Sequence, residues 1–329
     1  MHLNVYLYSI NNTYFKIKNI MYKKIIMFAL ILVLFSCSSN NDTTANPTTN
    51  EIFAFKQDYS NFTYIPRLVK VNPTNGTETD IIVTTVGESA WNLVFNKETN
   101  EIVGNSTNDK LIKFNLTSNT YSIISLNLSN NLMYGDLILD NNYNLYAFKQ
   151  QNPTVTDTYL PRLVKVNPTN GSETDIILTT LGTEVWDLVF NKATNEIIGR
   201  TNNDKLIKFN LTLNTYSIVS LNLSDNLEYS DFIIDNNHNL YAFKYQNPTV
   251  TSTYIPRLVK INQTNGTETD IILTALGESA YGIAYNNETN EIIGNSNNNK
   301  LIKFNLTSNT YSTVNLTVPT GTYGDLVIK

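Results

Sequence analysis

The chain has 329 residues, 41% of them hydrophobic and 16% charged, with a formal net charge of −5 at neutral pH. That is too apolar for a disordered protein and long enough for one large or two ordinary domains. With no basic excess, nothing in the charge balance invites nucleic acid or an anionic membrane surface.

The first element in chain order is a leader. Lys23 and Lys24 precede an apolar run at 25–35, followed by Ser36 and Cys37. The run is shorter than the ~20 residues a membrane-spanning helix needs, and it has the form of an export signal. Cys37 is the single cysteine, so no intramolecular disulfide is open to it. Leu34-Phe35-Ser36-Cys37 resembles a bacterial lipobox. That resemblance implies cleavage before Cys37, lipidation of its thiol, and a protein held to a membrane by acyl chains, with the outer membrane of the cell envelope as the expected place. The signal is expected to span 1–36 with translation starting at Met21. Its removal takes away Lys16, Lys18, Lys23 and Lys24 and no acid, so −5 becomes −9. Residues 37–50 are Cys37 followed by "SSNNDTTANPTTN", a polar stretch that reads as a flexible tether.

From residue 51 the chain repeats itself. Pro66-Arg67, Pro161-Arg162 and Pro256-Arg257 recur at a fixed spacing, and each long repeat contains two similar halves. Leu68, Leu111, Leu163, Leu206, Leu258 and Leu301 therefore mark six units. Each unit has four short apolar segments between Asn, Gly, Thr and Pro clusters, as at 186–190, 196–199, 206–210 and 215–221. No segment carries a helical period. Four strands per unit, six times over, predict an all-β six-bladed β-propeller with four antiparallel strands per blade. "DLVF", "DLIL" and "DFII" are continuously apolar, as innermost strands should be, while the acid-bearing "TETDII" suits an outer edge. The folded part begins at "EIFAF", a second strand, and stops at "YGDLVIK", a first strand. The C-terminal strand is thus expected to join the N-terminal three and close the ring. Over 51–329 the chain resembles six-bladed propeller lipoproteins, a resemblance of architecture that carries no activity by itself.

Chemistry-bearing residues are sparse. The two histidines are His2, in the leader, and His238, in an "NNHN" turn. A thiol nucleophile and a Cys/His zinc site are both absent. The start of each innermost strand carries Asn92, Asp136, Asp187, Asp231, Gly282 or Asp325, positions that surround one mouth of a propeller channel. The carboxylates of Asp136, Asp187, Asp231 and Asp325 could hold calcium; alternatively each accepts backbone hydrogen bonds from the neighbouring blade. An aromatic stands beside each: Trp91, Tyr134, Trp186, Tyr229, Tyr281 and Tyr323. Tyr64, Tyr159 and Tyr254, on the lengthened loops of alternate blades, are expected on the same face, making it a candidate surface for a ligand. The Asn-X-Thr and Asn-X-Ser sequences at Asn75, Asn170 and Asn265 read as turns.

The loops stay similar from repeat to repeat, whereas catalysis usually needs one blade to differ. The sequence therefore predicts a non-enzymatic, monomeric binding module for a glycan, peptide or envelope protein. A metal-dependent hydrolase or lyase using the channel carboxylates is the alternative, and a structural subunit of an envelope complex is the third reading.

Overall fold

The computed structural model describes residues 50–329 apart from the segments 58–65, 85–88, 107–109, 127, 129–131, 152–159, 181–183, 202–203, 222, 224–226, 247–253, 276, 297–298 and 318–321. Cys37 and the leader lie outside the described residues. Blade I contains β1 (Ile52–Gln57), β2 (Arg67–Val71) and β3 (Glu78–Val83). Blade II contains β4 (Trp91–Asn96), β5 (Glu101–Ser106), β6 (Lys110–Asn115) and β7 (Thr120–Ser125). In blade III these are β8 (Leu132–Leu139), β9 (Leu145–Gln151), β10 (Arg162–Val166) and β11 (Glu173–Leu178). Blade IV comprises β12 (Val185–Asn191), β13 (Glu196–Thr201), β14 (Lys205–Asn210) and β15 (Thr215–Ser220). Blade V comprises β16 (Leu227–Ile234), β17 (Leu240–Gln246), β18 (Arg257–Ile261) and β19 (Glu268–Leu273). Blade VI has β20 (Ala280–Asn286), β21 (Glu291–Ser296), β22 (Lys300–Asn305) and β23 (Thr310–Asn315), and the chain ends in β24 (Thr322–Ile328).

The last strand returns to the first. β24 pairs antiparallel with β1, Ile52 opposite Ile328 and Phe53 opposite Val327, so blade I is the expected three-plus-one sheet. Glu51 fastens this closure: its carbonyl accepts the Lys329 N–H at 2.9 Å, and its carboxylate meets Lys70 at 2.5 Å and Lys329 at 3.5 Å. The hydrogen bond from Lys70 holds the Glu51 carboxyl below its usual range, against a smaller opposing effect of burial.

Turn chemistry separates the strands as the sequence predicts. The Oδ1 atoms of Asn75, Asn170 and Asn265 accept the N–H of Thr77, Ser172 and Thr267, each at 3.0 Å. Because blades stack face to face, strands are buried on both sides, and the described residues form one apolar cluster at each of the six seams.

The seams alternate between two kinds. At I/II, III/IV and V/VI, Phe55 meets Phe114 at 5.5 Å, Phe148 meets Phe209 at 5.6 Å, and Phe243 meets Phe304 at 5.7 Å. At II/III, IV/V and VI/I no such phenylalanine pair is seen among the described residues, and the clusters include Tyr134, Tyr229 and Tyr323. This alternation is the structural form of the three long repeats.

A candidate active site at one channel mouth

The six innermost strands β4, β8, β12, β16, β20 and β24 surround a central channel of about 450 Å³ with largely aliphatic walls. Near its start each of these strands slips register against its neighbour in the sheet. A bulge turns side chains away from the regular pleat, and here it presents Asn92, Asp136, Asp187, Asp231, Gly282 and Asp325 as a collar.

The collar is a set of clasps. Asp136, Asp231 and Asp325 each accept the backbone N–H of the next blade, from Asp187, Gly282 (2.7 Å) and Asn92 respectively. The three donors have φ of 58°, 55° and 54°. Glycine adopts this left-handed conformation freely, Asn and Asp at modest cost. A Cβ on Gly282 would stand 3.0 Å from the Asp325 Cα, which leaves little room for a larger residue. The backbone-bonding alternative thus describes three of the four proposed metal carboxylates. The fourth, Asp187, accepts from Arg200 Nε at 2.9 Å.

The six candidate aromatics divide in the same way. Trp91 is 36% exposed, and Trp186 and Tyr281 are half-buried, all three next to collar residues. Tyr134, Tyr229 and Tyr323 are buried between blades, and their hydroxyls donate to Glu173 (2.6 Å), Glu268 and Glu78. The same three glutamates receive Lys149 at 2.5 Å, and Lys244 and Lys56 at 2.6 Å. These tyrosines satisfy buried charge and present no ring to the mouth. Burial first, then the neighbouring glutamates, pushes the Tyr229 and Tyr323 hydroxyls well above the usual phenol range. Tyr64 and Tyr159 lie outside the described residues. The ring of Tyr254 is covered by the Arg257 guanidinium at 4.6 Å. His238 sits in the turn after β16, at the opposite end of the ring from the collar.

The residues that sequence reasoning missed are in the strands. Within the strands, the charged residues carried by one repeat alone are Asp187, Arg200 and Glu228; the equivalent positions hold Asn92 and Gly282, Asn105 and Asn295, Met133 and Thr322. The fold brings all three to the collar end of the ring, Asp187 and Arg200 paired on blade IV and Glu228 on blade V toward seam V/VI. Glu228 accepts the Tyr245 hydroxyl at 3.0 Å, and Tyr245 packs edge-on against Tyr281 at 5.7 Å. Just before β12, Glu184 accepts the Trp186 indole N–H at 3.3 Å.

Local electrostatics set these groups apart. Burial pushes the Glu184 carboxyl up, with the Trp186 hydrogen bond opposing it. Burial also raises the Tyr245 hydroxyl, helped by Glu228 and offset by Arg200. For Arg200 burial works against the charge, but Asp187 outweighs it and the guanidinium is held firmly protonated. A carboxyl pushed up by burial, a carboxylate–phenol pair and a fixed cation around one mouth are the parts of an acid–base site.

No family model matches the chain, and no curated protein matches it. Solved propellers do. An oligogalacturonate lyase in complex with manganese aligns at 8% identity over 76% of this chain and 72% of its own, TM-score 0.52. The oligogalacturonate lyase of Vibrio parahaemolyticus aligns at 9% identity over 82% and 86%, TM-score 0.50. A Bacteroides uniformis protein assigned as a 6-phosphogluconolactonase aligns at 10% identity over 86% and 100%, TM-score 0.51. At such identities the likeness shows the fold.

Two expectations are corrected here. The non-enzymatic binding module gives way, because the propellers this chain is similar to are described as enzymes and because one repeat departs from its counterparts in charged residues. The expected calcium is not supported either. Asp136, Asp231 and Asp325 bond backbone N–H groups, Asp187 pairs with Arg200, and among the described residues no three His, Cys, Asp or Glu side chains are placed to hold a metal. The manganese of the lyase neighbour therefore finds no fitting donor set among them.

Proposed function

We propose that the chain is an enzyme acting on an acidic sugar at the collar mouth of blades IV and V, and that its reaction is a lyase-type elimination. The observation that carries this is the gathering of Asp187, Arg200 and Glu228 where the other repeats are uncharged. The oligogalacturonate of the lyase neighbours is a uronate polymer, which supports the substrate class.

In this reading Arg200 holds the uronate carboxylate. Its hydrogen bond to Asp187 uses Nε alone of five N–H donors. Glu228 takes the proton from the carbon beside that carboxylate. The electron pair forms a carbon–carbon double bond as the glycosidic oxygen departs from the adjacent carbon, and Glu184, whose carboxyl burial pushes up, supplies the proton that oxygen needs. Arg200 offsets the negative charge that builds on the carboxylate during proton abstraction.

The test is a screen of uronate oligosaccharides and aldonolactones, reading the ultraviolet absorbance of the new alkene and proton release. Asp187→Asn/Arg200→Asn, which installs the amides of the second blade, serves as control. Turnover abolished in the control supports the assignment; turnover unchanged by it removes the site. Tethering through a lipidated Cys37 is proposed alongside, and a Cys37→Ser chain that still incorporates labelled fatty acid would contradict it.

A further inference from the structure

A second cavity opens on blade V at the opposite end of the ring from the collar. We propose that it binds a phosphate group, either inorganic phosphate or the phosphate of a small ester, independently of the acidic-sugar site.

The cavity has a volume of about 300 Å³, the low end for small-ligand sites, where the turn before β17 meets the turn joining β18 to β19. His238, Asn239, Lys260, Asn262, Gln263 and Thr269 are among the residues lining it, and the described lining contains no acid. In a chain of net charge −5 an acid-free cavity holding a lysine stands out. The nearest acids in sequence are engaged. Asp235 accepts the N–H groups of Asn237 and Asn239, the Asn239 amide and the Tyr241 hydroxyl. Glu268 is bonded to Lys244 and Tyr229.

Lys260 supplies the positive charge. Its counterpart in blade I, Lys70, is held by Glu51. Blade V has Asn239 in place of that glutamate, and Lys260 has no ion pair or hydrogen bond among the described residues. His238 adds a second donor. Its Nδ1 is buried without a partner, and a buried polar atom left so calls for a ligand or a water. The turn carrying it is pinned: Gln263 Nε2 donates to the His238 carbonyl at 2.8 Å, and Gln263 Oε1 accepts Asn191 Nδ2 from β12 at 2.9 Å.

The repeats set this cavity apart. Blade III shares the lysine and asparagine, as Lys165 and Asn144, but has Tyr143 and Pro168 where blade V has His238 and Gln263. A proline has no side-chain amide with which to hold the turn. The donors also select the anion. A carboxylate is best met in its plane by the guanidinium fork, and the described lining has no arginine. An ammonium, an imidazole, an amide and a hydroxyl from separate chain segments suit a tetrahedral anion that accepts from several directions.

Nuclear magnetic resonance of the purified full chain tests this at fixed pH and ionic strength. His2 and His238 are the two histidines, so His238→Tyr, which installs the blade III residue, identifies the His238 imidazole signal by its loss. The probes are inorganic phosphate, glycerol 3-phosphate and glucuronate. Both phosphates should shift that signal saturably with a Kd of ~1 mM or tighter, and glucuronate should bind about tenfold more weakly. Lys260→Gln should weaken phosphate binding about tenfold. Calorimetry of His238→Tyr/Gln263→Pro, whose new residues an equivalent turn already accommodates, should show the heat of phosphate binding lost while the unfolding temperature is kept. Tighter binding of glycerol 3-phosphate upholds an ester as ligand, and tighter binding of inorganic phosphate upholds the free anion. A His238 signal indifferent to both phosphates overturns the inference, as does glucuronate binding as tightly as phosphate. Phosphate binding unchanged in Lys260→Gln or in the double variant overturns it equally.

Discussion

Seams II/III and IV/V share one architecture and differ in chemistry. Both bury a tyrosine whose hydroxyl donates to a glutamate, Tyr134 to Glu173 and Tyr229 to Glu268, and both seat that glutamate on a lysine. At the mouth they part. Blades II and III carry Asn92, Asn105, Met133 and Gln150 there, blades IV and V Asp187, Arg200, Glu228 and Tyr245. The buried part of the repeat is retained because each seam must satisfy the same ion network, since removing one partner of a buried pair costs ~3–5 kcal/mol. The mouth is free of that constraint, so this is where one repeat can acquire a function without unfolding the ring.

The largest expected effect comes from erasing the difference. Asp187→Asn/Arg200→Asn should cost ~10²–10³ in kcat, the usual range for losing a preorganised charge-stabilising donor. Arg200→Asn alone would also destabilise the fold, because it leaves the Asp187 carboxylate, 8% exposed, without its cation. Thermal unfolding of the single and double variants should therefore rank the double as the more stable.

Glu184→Ser places before β12 the serine found at Ser89 and Ser279. A loss of ~10²-fold is expected for a general acid. Burial raises the Glu184 carboxyl, so its protonated form is present at low pH and lost as pH rises through that raised value. The alkaline limb of the rate profile set by this group should disappear in the variant, and an unchanged profile would assign the acid elsewhere.

How much of this was legible in the sequence follows from where the information lies. The blade count, the strand order and the closure of β24 on β1 were readable, since a fixed repeat and complementary ends leave few other ways to bury the apolar strands. The collar was also foreseen, in position though not in its calcium. Burial decided which aromatics face the mouth, and nothing in the one-dimensional pattern distinguishes Tyr134 from Trp91 before blades are stacked. Arg200 was missed for a different reason: attention went to the loops, whereas the departure sits in strand β13 among residues that otherwise repeat. A position-by-position comparison of the three repeats inside the strands would have found it.

The clasps should be indifferent to the charged seam, which sharpens the contrast. Asp231→Ala strands the Gly282 N–H and should cost ~1–3 kcal/mol, as should Asp136→Ala and Asp325→Ala at their equivalent sites. At roughly 2–4 °C of Tm per kcal/mol, calorimetry would resolve these losses, and a clear inequality among the three would end the description of the clasps as equivalent.

The smallest effect belongs to the ring closure. Glu51 is held below the usual carboxylate range by Lys70, so it adds stability above the unfolded-state value near 4.5 and loses it as pH falls through the lower folded value. Its pairs are substantially exposed, and the contribution is discounted to a few tenths of a kcal/mol. Glu51→Gln should flatten the acid side of the stability profile slightly and leave turnover unchanged.

The most direct measurement is the rate on an acidic oligosaccharide of a chain in which four mouth residues of blades IV and V are exchanged for those of blades II and III: Asp187→Asn, Arg200→Asn, Glu228→Met and Tyr245→Gln. The account predicts an intact propeller, unfolding within a few degrees of the parent as expected for residues already accommodated at an equivalent seam, with turnover at background. Turnover retained in that folded variant would show that the charged seam is not where the protein works.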